Sequence, residues 1–146
     1  MSESYFNIKA DYKEANYICQ NISKKLSDMN IDTADIAACE IATREALNNI
    51  IKHAYLNNCE NNIEIFVSAN NNKVSISVSD YGKERTEIKA ATLNFNPHDI
   101  ENLPESGFGL YIIEKIMDLT EYISENGKNT YTITKILKNN NTLWKN

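Results

Sequence analysis

The sequence predicts an α+β domain. Three observations carry this: two helical patterns of apolar residues within the first 56 positions, a period-2 hairpin over 63–78, and a glycine-led helix with two closing strands from 107 onward. A chain of 146 residues makes one ordinary domain (1–146) with a buried core, and 42% hydrophobic with 24% charged residues is globular composition. The net charge of −5 leaves no basic footprint, so no direct nucleic-acid partner is expected. No run approaches the ~18 apolar residues of a membrane span. Met1-Ser2-Glu3-Ser4 has neither the charged nor the apolar part of a secretory signal. The expected location is cytoplasmic, without a membrane partner. Cys19, Cys39 and Cys59 show no CxxC and no histidine at metal spacing, and Cys19 and Cys39 fall inside helical patterns as buried, reduced thiols.

Taken in order, residues 5–10 form a short strand. Asp11-Tyr12-Lys13-Glu14 has capping-box spacing and opens a helix whose apolar stripe is Ala15, Ile18, Ile22, Leu26 and Met29. Asn30-Ile31-Asp32-Thr33 breaks that pattern and caps a longer helix over about 34–56, with Ile36, Leu47, Ile50, Ile51 and Ala54 as its core stripe. Ile63, Ile65 and Val67 alternate with Glu64, Phe66 and Ser68, as do Val74, Ile76 and Val78 with Ser75, Ser77 and Ser79. The Asn70-Asn71-Asn72 turn joins the two runs into a hairpin. Over 81–106 periodicity fades and both prolines occur, Pro97 and Pro104; a connection of this length reads as a lid. A helix follows with Leu110, Tyr111, Ile113 and Met117 among its apolar positions, and residues 119–124 and 130–137 close the fold around Glu125-Asn126-Gly127-Lys128. The Asn-rich tail after Lys138 is expected to fray, with Trp144 docking back.

Three features carry chemistry. At about 3.6 residues per turn, Glu45, Asn49 and His53 succeed one another at i, i+4 with Lys52 alongside. One helix edge thus holds a carboxylate, an amide, an ammonium and an imidazole. Such an edge is ordinarily a solvated face. Here Ala38, Ile41, Ala42 and Leu56 project on the same side, and the charged flank of Glu40 and Arg44 lies elsewhere, as for a polar line inside a groove. Asp80 takes the next position on the Val74, Ile76, Val78 face. Either the strand ends there and Asp80-Tyr81-Gly82 turns into solvent, or the carboxylate is buried and requires a hydrogen-bond donor. Gly107 and Gly109 at a helix entrance leave backbone N–H groups at a positive dipole end that suits a phosphate, although a single GxG also occurs in loops without a ligand.

The order of these features resembles the histidine-kinase-like ATPase superfamily, the nucleotide fold shared by gyrase, MutL and sensor histidine kinases. Glu45-Ala46-Leu47-Asn48-Asn49 followed by Lys52-His53-Ala54-Tyr55 is similar to the N-box of the bacterial anti-sigma-factor serine kinases. Asp80-Tyr81-Gly82 resembles the first glycine box and Ser106-Gly107-Phe108-Gly109-Leu110 the second. The resemblance spans essentially the whole chain, and the N-box is its most specific motif. It implies a two-layer α/β sandwich, a mixed, mostly antiparallel sheet covered on one face by helices (the Bergerat-type ATP-binding fold), with 81–106 as the ATP lid. It implies MgATP as the ligand: Asn49 coordinating Mg²⁺, Glu45 as general base or orienting group, and Asp80 accepting from the adenine 6-amino group. Gly82 would let the backbone pass close to the base, and Gly107, Phe108, Gly109 and Leu110 would form the phosphate loop, the two glycines and Leu110 through their amides. Lys52 and His53 are assigned to phosphate or lid, and Thr130 or neighbouring Asn129 to the adenine edge. The chain departs from the family pattern Asp-x-Gly-x-Gly, because Gly82 is followed by Lys83-Glu84. Glu105 also stands where some relatives place a basic residue, leaving Lys83, Arg85 and Lys89 as substitutes at the γ-phosphate.

The implied function is that of an ATP-dependent regulatory protein-serine/threonine kinase acting as an anti-sigma factor. It would bind a sigma factor and phosphorylate a small anti-anti-sigma protein, and the family suggests a homodimer. Retention of Glu45 favours catalysis. The missing glycine after Gly82 keeps open an alternative, a non-catalytic nucleotide-binding or partner-sequestering module of the same fold. A sensor histidine kinase would need a phosphoacceptor histidine on a dimerisation hairpin, and the only histidines are His53 and His98. The Walker A and eukaryotic-type kinase motifs do not occur.

Overall fold

Five strands form the sheet of the computed structural model, which describes residues 2–85 and 105–137, with the backbone alone at 105–108. They are β1 (Ser2–Lys9), β2 (Asn62–Ala69), β3 (Lys73–Asp80), β4 (Leu119–Glu125) and β5 (Lys128–Ile136), in the spatial order β1-β2-β3-β5-β4. The helices are α1 (Tyr12–Asp28), α2 (Thr33–Asn49) and α3 (Glu105–Ile116). Every described pairing is antiparallel, where a mixed sheet was expected. Parallel neighbours require long crossovers, whereas β2–β3 and β4–β5 are joined by short turns. In the first turn, Asn70 Oδ1 accepts from the backbone N–H of Asn72 at 2.7 Å and of Lys73 at 3.0 Å. In the second, Asn126 and Gly127 take φ of 53° and 80°, the left-handed pair that a two-residue hairpin requires.

The strand expected at 5–10 is longer, because all of Ser2–Lys9 pairs with β2. Asp11 caps α1 by accepting from Lys13 N at 2.9 Å. Glu14 reaches back past the cap residue to Lys9 N at 3.1 Å, which ties the helix entry to the end of β1. The inner sheet face, with Ile63, Ile65, Val74, Ile76, Val78 and Ile133, shares one core with Ile18, Ile22 and Leu26 of α1, Ala42 and Leu47 of α2, and Ile113 of α3. All these side chains leave water together, and that burial is the main favourable term of the fold.

Two features of this scaffold position the site. On the outer face a hydroxyl ladder joins β3 to β5: Ser75–Thr134 at 3.1 Å, Ser77–Thr132 at 2.8 Å and Ser79–Thr130 at 2.9 Å. A one-residue slip would break the ladder and turn the apolar residues outward, so register is fixed and Asp80 lies opposite Asn129. At its C-terminal end α2 widens into a π-helical turn, Ile50–Ala54, where an unbroken helix to 56 was expected. Tyr55 N bonds to Ile50 O at 2.9 Å and Asn57 N to Ile51 O at 2.7 Å, and positive φ at Leu56 (51°) and Asn57 (63°) ends the segment. The widened turn abuts the end of β3: Lys83 N donates to Ala54 O at 3.3 Å and Tyr81 N to the Tyr55 hydroxyl at 2.8 Å.

Among the described residues no helix is long and apolar enough to cross a membrane. Most of the expected lid (86–104, with Lys89, Pro97, His98 and Pro104) and the tail from 138, with Trp144, lie outside the described residues.

Candidate functional site

Asp80 ends β3 with only 3% of its surface exposed, so it does not turn into solvent. Its Oδ1 accepts from Asn129 Nδ2 at 2.8 Å and from Gly82 N at 2.9 Å. Asn129 Nδ2 also donates to Gly82 O at 3.0 Å, and Asn129 Oδ1 accepts from Ser124 Oγ at 2.6 Å, which fixes the amide's orientation. Burial pushes the Asp80 carboxyl above the usual carboxylate range, while the Asn129 and Gly82 hydrogen bonds and the Arg85 guanidinium pull it part of the way back. Beside it lies an enclosed cavity of about 20 Å³, lined by Asp80, Ala46, Asn49, Ile50, Leu110, Arg85, Tyr122 and Tyr131.

The polar edge of α2 opens into a second, wider space. Glu45, Asn48, Asn49, Lys52 and His53 line a cleft together with Gly109 of α3 and Tyr12 of α1. The side chains expected at i, i+4 therefore do share one cleft. The apolar flank expected beside them is only half realised: Ala42 is buried, but Ile41 is 44% and Leu56 77% exposed. The walls come instead from α3 and from Tyr12, whose hydroxyl donates to Asn57 Oδ1 at 3.1 Å. A Cβ on Gly109 would lie 2.7 Å from Glu45 Oε2 and 3.6 Å from the Asn49 side-chain amide, so glycine lets α3 close on the carboxylate. Among the described residues Asn49 Nδ2 is buried without a hydrogen-bond partner, an unusual state for an interior amide and the one expected where a ligand completes the site.

The structure places the remaining expected site residues as follows. α3 begins at Glu105, so Gly107 is in its first turn while Gly109 and Leu110 are in the second. Only first-turn N–H groups lack intrahelical partners, so amides at 105–107 face outward and Gly109 serves by its small size. Leu110 lines the cavity beside Asp80, and Phe108 is described only as helical backbone. A Cβ on Gly82 would meet Ala54 O at 2.4 Å and a Tyr55 ring carbon at 3.0 Å; its lack of a side chain serves packing against the end of α2. Thr130 bonds Ser79 on the outer face, and Asn129 holds the inner position beside Asp80. Lys52 is exposed and His53 half-buried, both on the open cleft. Tyr122 and Tyr131 were not anticipated, although they are cross-strand partners on the inward parity of β4 and β5. Tyr12 carried no sequence signal beyond its place in the cap.

Residues 8–135 match the family model described as the histidine kinase-like ATPase domain. Serine-protein kinase RsbW of Staphylococcus aureus strain MSSA476 is 37% identical over 109 residues, covering 71% of this chain and 67% of the relative. The protein of the same name from strain JH9 is 35% identical over 109 residues, with the same coverage. A crystal structure of the RsbU and RsbW domains of a Mycobacterium tuberculosis protein superposes with a TM-score of 0.66 at 18% identity, over 94% of this chain and 33% of that one. A chain of the SiaB–SiaC complex from Pseudomonas aeruginosa superposes with a TM-score of 0.63 at 14% identity, over 92% of this chain and 89% of that one. At these identities the two structures speak for the fold alone. The chain spans about two thirds of the RsbW relatives and a third of the mycobacterial chain.

Proposed function

The chain belongs to the histidine kinase-like ATPase family, and from that premise we propose that it is an ATP-dependent protein-serine/threonine kinase of the RsbW type. In this reading it acts in the cytoplasm as an anti-sigma factor, binding a sigma factor and phosphorylating a small anti-anti-sigma protein, and it works as a homodimer. The observation that supports the reading is the adjacency of the two spaces: Asn49 lines both the cavity at Asp80 and the open cleft at Glu45. One nucleotide laid along α2 would reach both ends.

The residues divide the work accordingly. Among the described residues the hydrogen bonds to Asp80 from Asn129 and Gly82 both fall on Oδ1, and in this reading Oδ2 accepts from the amino group of adenine. Ala46, Ile50 and Leu110 supply apolar contact to the base. The first-turn amides of α3, with Lys52 and His53, hold the phosphates at the dipole end of the helix. Asn49, which lines the cleft, would hold Mg²⁺ through its amide oxygen, a ligand type this cation takes, and phosphates and water would complete the octahedron. Bound there, the ion would supply neutralisation of phosphate charge. Glu45, half-buried and one turn before Asn49, orients the attacking hydroxyl and accepts its proton.

The test is transfer of γ-labelled phosphate to a small anti-anti-sigma domain. Glu45→Gln should lower the rate by about 10²–10⁴-fold with nucleotide affinity unchanged. An unchanged rate would remove Glu45 from this role. A second reading, sequestration of a partner without catalysis, is favoured by the burial of Arg85 in the base-side cavity. Nucleotide binding without transfer to any cognate antagonist is its signature.

A further inference from the structure

Arg85 follows the segment Lys83-Glu84, which stands where the family continues its first glycine box. It is 4% exposed, although an arginine is seldom buried unless its charge is met. Its Nη1 donates to the carbonyl of Asn49 at 3.3 Å, and its backbone N–H donates to the Tyr122 hydroxyl at 2.8 Å. The Asp80 carboxyl feels the guanidinium as a favourable charge. The side chain therefore lies among the groups assigned above to the base. What remains of that cavity, about 20 Å³, holds roughly one water and cannot hold a purine.

We propose that Arg85 is a resident plug of the base pocket, displaced when a nucleotide enters. This rests on the assignment of the Asp80 cavity to the base. The chemistry of the two occupants is alike: a guanidinium, like an aminopurine, is a flat group with N–H donors along its edge. Each can lie in a slot between apolar walls and offer donors to a carboxylate or a backbone carbonyl. On exchange the leaving guanidinium regains water, the Asn49 carbonyl and the Tyr122 hydroxyl give up the donors of Arg85, and Asp80 trades a nearby positive charge for a hydrogen bond from the base. Apparent affinity then equals the intrinsic affinity scaled by the fraction of molecules with Arg85 withdrawn. A partner protein that drew the Arg85 segment outward would raise nucleotide affinity without touching the nucleotide.

Titration of the full chain with adenosine and with MgATP, for the wild type, Arg85→Ala and Tyr122→Phe, tests this. Arg85→Ala should bind both ligands about tenfold more tightly, as expected when the open fraction rises from about a tenth to near one. Tyr122→Phe keeps the ring but releases the Arg85 backbone, and should shift both affinities in the same direction by less. It also stands in if Arg85→Ala does not fold. Equal or weaker binding of adenosine by the variants overturns the plug. A loss confined to MgATP would make Arg85 a phosphate ligand and overturn it as well. Wild-type binding that neither variant tightens leaves the kinase reading standing, whereas no binding by any of the three proteins overturns both.

Discussion

Replacing Asp80 by asparagine separates what the carboxylate does for the fold from what it does for a ligand. The substituted amide oxygen can keep both protein hydrogen bonds, from Asn129 at 2.8 Å and Gly82 at 2.9 Å, because both fall on one oxygen. The other oxygen becomes an NH₂ group, which meets the amino group of adenine as donor against donor. A hydrogen bond to a charged acceptor contributes about 1.5–3 kcal/mol, so its loss should weaken nucleotide binding by about 10–150-fold. The fold should not suffer. Burial raises the folded-state pKa of Asp80, so the folded protein holds this proton to higher pH than the unfolded chain. Stability from this group therefore falls as pH rises through the window between the two values, and above it the buried charge is a standing cost. Asp80→Asn removes that cost: its melting temperature at neutral pH should equal or exceed that of the wild type. Nucleotide binding follows the opposite sign, since it needs the carboxylate, and should weaken as pH falls through the raised pKa. Calorimetric titration and thermal melting between acid and neutral pH read both. A variant that binds MgATP within about twofold of wild type, or that melts lower, refutes the reasoning. Asp80→Ala is the poorer probe, because it takes the acceptor from the Gly82 N–H and from one of the two hydrogen bonds of the Asn129 amide, and so perturbs fold and ligand site together.

Two glycine substitutions should part company in the same assays. Gly82→Ala drives a methyl group to 2.4 Å from a backbone carbonyl that cannot step aside, and should cost about 1–3 kcal/mol in urea unfolding; an unchanged midpoint would show that the turn is not pressed against α2. Gly109→Ala presses on the far end of the Glu45 side chain at 2.7 Å, with the Asn49 amide at an ordinary 3.6 Å, and the gain in helix propensity, up to about 1 kcal/mol, offsets the displacement. That variant should melt near the wild-type temperature yet transfer phosphate more slowly, because the carboxylate has been moved. Equal rates would dissociate Glu45 from the α3 contact.

What was legible in the sequence was whatever repeats along one element. The stripe of α1, the alternation of β2 and β3, and the i, i+4 line of Glu45, Asn49 and His53 are each written in local spacing. The same parity put Asp80 in line with the inner face but left open whether the strand ended before it, and its burial in the structure decides for the inner face. What was not legible depends on elements meeting across the fold. Gly82 and Gly109 are glycines for steric reasons set by Ala54 and Glu45, and a glycine does not record which neighbour requires it. The choice between Thr130 and Asn129 turns on a register that the Ser–Thr ladder fixes on the opposite face. The π turn after Asn49 and the wall that Tyr12 adds have no period to betray them.

If one nucleotide spans the molecule from Asp80 to Glu45, amide NMR of the labelled protein reports both ends at once. Adenosine should shift Gly82 and Asn129. MgATP should shift these and also Asn49, Lys52 and the first turn of α3 at 105–107, with the Asn49 change lost when the metal is chelated. Shifts confined to one end, or a response to MgATP that leaves Gly82 and Asn129 unmoved, would contradict a single nucleotide site along α2.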